Sequence, residues 1–243
     1  MLTEKNLNED LGNSEFKIYY GSGFRGMNRV IPKMLSEGRE TLSVSDLMRE
    51  RLSALVSEGI KGPLWKYSFQ TFDGSIRSKD KVKLVLDAQT IKEVNPESRY
   101  WQCGGGLSAS EEAYNQAEGI EFSTKDLRKH IGQGWLTKDQ AKSNPVWQYL
   151  AQDQDLLNDY VDAVQILNKQ LITNTENRIG LGVNIPGIEF DYDITTVYPF
   201  SIGAITINNF LNNGSALHGR DMTSEFAMMI GKESKVESLV KSA

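Results

Sequence analysis

Six residues near the start of the chain, Gly21-Ser22-Gly23-Phe24-Arg25-Gly26, have types and spacing that can cradle a phosphate. Glycine lets a backbone approach an oxyanion closely, and the amides of a following helix N-terminus stabilise its charge. A hydrophobic run, Phe16 to Tyr20, reads as a strand before the loop, and Met27 to Glu37 reads as a helix after it, ending at Gly38. Asp46 lies 20 residues past the last glycine, where a carboxylate can accept from a ribose hydroxyl. Gly21, Gly23, Gly26 and Asp46 are therefore candidate residues for binding a nucleotide or dinucleotide. The same residues also read as a tight turn where a strand enters a helix, with Asp46 a first-turn carboxylate of the next helix.

The stretch that begins at Phe16 resembles the opening of Rossmann-type dinucleotide-binding proteins. That resemblance implies a parallel βαβ unit and a cofactor such as NAD or FAD. A second stretch, Asp193-Ile194-Thr195-Thr196-Val197-Tyr198-Pro199, resembles motif A of family B DNA polymerases, D-x-x-S-L-Y-P, and Pro186-Gly187 resembles that family's approach to it. Thr196 and Val197 stand where the family has Ser and Leu. The resemblance implies that Asp193 holds catalytic Mg²⁺ and that Tyr198 discriminates the sugar. No paired-aspartate motif follows, and a β-strand ending in a Tyr-Pro turn accounts for the same residues.

Other polar residues form no diagnostic pattern. His218-Gly219-Arg220-Asp221 could supply a base and an anion-binding group, but nothing joins them at a characteristic spacing. His130 reads as a cation near a helix end, and Cys103 as a loop residue. One cysteine and two histidines exclude a disulfide framework within the chain, a Cys-rich zinc site and a multi-His metal site. The net charge is −5 with no dense run of Lys and Arg, so nucleic acid is not an expected partner. The uncharged stretch from Ile194 to Gly219 is interrupted by Asn208, Asn209, Asn212 and Asn213. Its first half suits buried strands rather than a membrane span. The polar segment from Met1 to Glu15 lacks the apolar core of a signal peptide. These features favour a soluble protein of a cytoplasm or a virion.

The elements that must position such residues fall into blocks. Residues 1–15 read as an arm. Residues 16–106 mix helices and strands: a helix at 45–57 with an apolar face of Leu47, Leu52, Leu55 and Val56, a strand at 64–72 ending in an Asp73-Gly74 turn, and an alternating strand at 81–86. Residues 107–172 read as helical. Capping signals stand at Ser108, Ser123, Thr137 and Asn144-Pro145, and the longest helix spans 153–171. Residues 173–243 read as β-rich, with short helices at 223–230 and 234–240. Trp65, Trp101, Trp135 and Trp147 read as core. Helices and strands are segregated, which predicts an α+β fold, in several blocks or as one continuous domain. With no complete catalytic constellation, the expected function is a non-enzymatic structural or assembly protein, such as a virion, neck or tail subunit. It would need no cofactor, and its partners would be protein subunits, identical or different. The 194–219 stretch and the termini would make the contacts. A nucleotide-binding enzyme and a polymerase-like palm fragment are the alternatives.

Overall fold

The computed structural model describes residues 3–11, 15–22, 26–57, 62–100, 106–131, 136–171, 178–179, 181, 183–185, 194–203, 217–219 and 226–233. In chain order they begin with α1 (Glu4–Leu11), β1 (Phe16–Ser22), α2 (Met27–Ser36), β2 (Arg39–Thr41), α3 (Val44–Ser57) and α4 (Pro63–Lys66). Next come β3 (Phe69–Ser78), β4 (Lys81–Val85), α5 (Gln89–Lys92), β5 (Leu107–Ser108), α6 (Glu111–Gln116), β6 (Ile120–Ser123) and α7 (Thr124–Leu127). The last group is β7 (Leu136–Thr137), α8 (Lys138–Ser143), α9 (Pro145–Ala151), α10 (Gln154–Leu171), β8 (Arg178–Ile179), β9 (Val183–Asn184), β10 (Thr196–Ile202), β11 (Leu217–Gly219) and β12 (Phe226–Glu233). The fold is α+β.

Local chemistry places several helices where the sequence predicts them. The Thr137 hydroxyl accepts from Gln140 N at 3.2 Å, and the Gln140 carboxamide accepts from Thr137 N at 2.9 Å, a complete capping box for α8. Asn144 caps α9 with Pro145 in its first turn. Ser123 caps α7. The cap before α6 is Ser110 rather than Ser108, because Ser108 lies in β5 and pairs with Thr196. Gly38 adopts φ 68° just past α2, as a C-terminal glycine should.

Among the described residues ten strands form one mixed sheet, with the path β1-β12-β3-β10-β11-β9. β2 joins β12, β4 joins β3 and β6, and β5 joins β10. Both faces are covered. Ile18, Val82, Leu84, Phe200, Ile202 and Ile230 face one core with residues of α1, α3 and α7 to α10. Tyr19, Phe72, Ile76, Val85, Val197 and Met229 face a second core with residues of α2, α5 and α6. Successive side chains point to opposite faces, so β1 supplies Ile18 to one core and Tyr19 to the other. The first core draws on residues from Leu7 to Ile230, so all the blocks read from the sequence contribute to it.

Four sequence expectations are corrected. The 223–230 stretch is not a helix: Phe226–Glu233 is a strand, antiparallel to both β1 and β2. Its helical propensity yields to the burial of Ala227, Met229 and Ile230 between the two cores. The segment read as an arm carries α1, seated through buried Leu7. The helical middle block also contains β6, which extends the sheet beyond β4. Finally, Asp73-Gly74 is not a turn. β3 continues through both residues and reverses at Lys79-Asp80, where Lys79 takes φ 55°, while residues 63–66 form α4.

Gly74 answers to a packing need. A Cβ there would lie 2.6 Å from the Tyr198 carbonyl oxygen and 2.8 Å from Ile91 Cδ1. Gly74→Ala must therefore push β3 away from β10, since the obstacle is backbone. Chemical denaturation should show a loss of about 1–3 kcal/mol; an unchanged midpoint would contradict this packing.

Candidate functional site

The strand register defines a line across the sheet. Tyr19 pairs with Met229, Met229 with Gln70, Gln70 with Ser201, Ser201 with His218, and His218 with Asn184. On one side of this line lie Ser22 and Phe226, Phe69, Ile202, Leu217 and Val183. Three segments meet the sheet on that side. The loop after β1 leaves it at Ser22. The stretch between β10 and β11 leaves at Ile202 and returns at Leu217. The connection from β11 to β12 arrives at Phe226. Binding residues concentrate on loops held by a rigid scaffold, so this end of the sheet is the candidate site.

What makes the scaffold rigid there is a buried arginine. Arg51, fully buried, sits on α3 with Val44, Leu47 and Ala54, positions that share one helix face. Its Nε donates to the Leu64 carbonyl at 2.9 Å, and one Nη to the Tyr160 hydroxyl at 2.9 Å. The other Nη donates to the Tyr67 carbonyl at 3.1 Å and the Ile202 carbonyl at 3.3 Å. The guanidinium lies 5.3 Å from the Trp65 ring centre. Trp65 stacks on Tyr160 at 5.7 Å, and Tyr160 meets Trp147 at 6.5 Å. Trp147 Nε1 in turn donates to the Leu181 carbonyl at 3.1 Å, two residues before β9. Arg51 and Trp147 thus hold the end of β10 and the approach to β9, two chain positions at the candidate site.

The opposite end of the sheet is tied by Asp73. One carboxylate oxygen accepts from Val44 N at the start of α3 (2.6 Å), the other from Asp87 N after β4 (2.9 Å). Burial pushes this carboxyl up to about 6; the two amides oppose the shift, and Asp87 and Asp46 add to it slightly.

The sequence-derived candidates are distributed unevenly over this geometry. Gly21 and Gly26 lie at the candidate end. They pack against each other: a Cβ on Gly21 would stand 2.9 Å from the Gly26 carbonyl oxygen and 2.9 Å from Val30 Cγ2. Asp46 is at the other end, 3.4 Å from Arg49 and 3.9 Å from Lys232. Lys232 pairs with Phe16 and Ala227 with Gly21, so about 17 Å of strand separates the levels of Asp46 and the loop. β1 runs antiparallel to β12, not as the first strand of a parallel βαβ unit. Gly23, Cys103 and Asp193 lie outside the described residues. Tyr198 is buried within β10, its ring against Gly106, where a Cβ would come within 2.6 Å of the ring. His130 contributes its backbone carbonyl to the Asn144 carboxamide at 2.9 Å.

Sequence reasoning missed Arg51 and Asp73. Arg51 was legible only as a polar position on the 44-47-51-54 stripe, and Asp73 was read as turn chemistry.

No family profile and no curated protein matches the chain. A solved structure described as "Accommodation of massive sequence variation in Nanoarchaeota by the C-type lectin fold" does match. The TM-score is 0.62 over 91% of this chain and 99% of that one, at 14% sequence identity. The likeness is one of fold. The chain is thus similar in architecture to a C-type lectin-fold protein. Among the described residues no helix is long and apolar enough to cross a membrane, and no group of three metal-ligating side chains occurs.

Proposed function

We propose that the protein is a non-catalytic binding and assembly module that engages a protein partner through the Ile202 end of its sheet. The observation that carries this reading is the Arg51 clamp on the Ile202 carbonyl. It fixes the residue from which the uncharged 203–216 stretch departs, using a buried group that is independent of that stretch's own side chains. The solved neighbour is described as a C-type lectin fold that accommodates massive sequence variation. In this chain we assign the tolerant part to the 203–216 stretch and the fixed part to the sheet beneath it. Asn208, Asn209, Asn212 and Asn213 give the 203–216 stretch uncharged hydrogen-bonding groups suited to a polar protein surface. The identity of the subunit, another copy or a different chain, is part of the proposal to be tested.

The test replaces those four asparagines together by serine and compares sedimentation and thermal unfolding with the parent. The expected result is weakened association with the melting temperature nearly unchanged, because the clamp at Ile202 does not depend on those side chains. Unfolding of the variant would refute the separation of platform and segment; undiminished association would refute the surface. The same sample titrated with NAD, FAD, or Mg²⁺ and deoxynucleotides tests the alternatives. A ligand at about one hundred times its Kd stabilises by roughly 2.7 kcal/mol, and a shift of that size would replace this reading with nucleotide binding.

A further inference from the structure

Among the described residues β1 is the terminal strand of the sheet path, with β12 on its inner side. An edge strand presents alternate backbone N–H and C=O groups outward, a template for another strand. In β1 these belong to Phe16, Ile18 and Tyr20, because Ile18 and Tyr20 bond away from β12. For Ile18 and for the Tyr20 N–H the partners come from α1. The Asn8 carboxamide donates to the Ile18 carbonyl at 2.8 Å and accepts from Ile18 N at 2.7 Å. This is the pair of bonds that an opposing strand residue would make. The Glu4 carboxylate accepts from Tyr20 N at 3.3 Å. The match is geometric. Four residues of helix rise about 6 Å, two residues of strand about 6.8 Å, so Asn8 and Glu4 meet Ile18 and Tyr20 with the helix antiparallel to the strand.

The guard is lightly held. Leu7 is the buried residue of α1. Leu11 packs, partly buried, against the same core, and the polar anchors besides Asn8 and the Glu4–Tyr20 bond are exposed or half-exposed: Lys33 with Glu4 at 2.6 Å, and Lys66 and Tyr67 with Asp10 at 3.4 and 3.2 Å. Elements with few buried apolar groups open at low free energy.

We propose that α1 is a removable guard over a strand-addition edge, and that this edge, once uncovered, pairs antiparallel with the same edge of a second copy of the chain. The strand is self-complementary. A two-fold axis through Ile18 sets Phe16 opposite Tyr20 and Lys17 opposite Tyr19, so aromatic pairs and a cation–aromatic pair form and no like charges meet. Lys17 already lies 5.0 Å from the centre of the Tyr19 ring within one chain. The faces of β1 are closed by the two cores, where Ile18 and Tyr19 are fully buried, so pairing at the edge removes only Leu7 and Leu11, which leave with α1, from the apolar packing. This surface is separate from the Ile202 end and does not depend on its assignment.

The test uses the full chain carrying Glu4→Ala and Asn8→Ala, read by hydrogen exchange of the Ile18 amide and by sedimentation across concentration. At low concentration the amide should exchange at least about tenfold faster than in the parent. At high concentration it should regain protection as the mass doubles. Adding Tyr20→Pro removes the outward N–H, which an edge strand tolerates, together with the ring that would face Phe16 of the second copy, and should abolish the added association. These changes leave the Ile202 end as it is in the parent, so the difference between variants isolates the β1 edge. If the double variant does not fold, Asn8→Asp serves: its carboxylate repels the Ile18 carbonyl at neutral pH, and protonation restores the donor. Three outcomes would overturn the proposal: an Ile18 amide as protected as in the parent, an exposed amide with no gain in mass, or a gain in mass that survives Tyr20→Pro.

Discussion

Arg51→Met should lower the unfolding free energy by about 3–5 kcal/mol, among the largest effects of a single substitution in this protein. The substitution preserves length and apolar volume but removes every donor from the Leu64, Tyr67 and Ile202 carbonyls and from the Tyr160 hydroxyl. Four charge-assisted bonds at about 1.5–3 kcal/mol each would suggest a larger loss. Removing a buried charge also removes its desolvation penalty of several kcal/mol, and the difference is the smaller figure. At roughly 2–4 °C per kcal/mol for a chain of this size, calorimetry should show the melting temperature falling by about 6–20 °C. Arg51→Lys should recover only part of this, because an ammonium lacks the planar fork that reaches carbonyls on both sides. Hydrogen exchange should quicken at β10 before β4, since the Ile202 carbonyl loses its donor and β4 touches none of the four acceptors. A variant as stable as the parent would show that the clamp is not what holds the end of β10.

The second large effect concerns Asp73. Its carboxyl lies at about 6 in the folded chain, raised from 3.8. A raised carboxyl pKa means that folding favours the protonated form. The contribution of this group therefore becomes more favourable as the pH falls from above 6 towards 3.8, and is lost as the pH rises through that window. The whole swing is about 3 kcal/mol, at about 1.4 kcal/mol per unit. Asp73→Asn supplies the reference, because the amide does not titrate. It also turns an NH₂ towards either Val44 N or Asp87 N, which should cost about 1–3 kcal/mol at neutral pH. Denaturation of both proteins from pH 7.5 to pH 4.5 should show the stability gap widening towards acid, with the other titrating groups cancelling in the difference. A gap that narrows towards acid would mean that the two amides outweigh burial and hold the carboxyl low.

Taken by itself, the sequence determined the features whose causes lie within a few residues. The Thr137 capping box, the Asn144-Pro145 helix start, Gly38 after α2 and the apolar stripe of the longest helix all read correctly, because a cap or a stripe depends on side chains one turn apart. The α+β class followed from the segregation of those signals. The alternation of Val82, Leu84 and Leu86 was legible because β4 has unlike faces at its start, where Lys81 is exposed and Val82 buried.

Tertiary structure alone decided the rest. β3 is buried along its whole length, so Asp73 and Gly74 read as a turn when both in fact meet distant segments. Asp73 bonds α3 and the turn after β4, and Gly74 makes room for β10. The 226–233 strand overlaps the stretch that reads as a helix, 223–230, and takes its conformation from β1 and β2, about two hundred residues away. The candidate site was half legible. The glycine-rich run and the uncharged 194–219 stretch stand out in the sequence, but only the strand register brings Ser22, Ile202 and Leu217 to one end of the sheet and sends Asp46 to the other. The arginine beneath that end was hidden for the same reason. Burying a guanidinium is unfavourable until acceptors converge on it, and its partners, Leu64, Tyr67, Tyr160 and Ile202, come together only when the chain has folded.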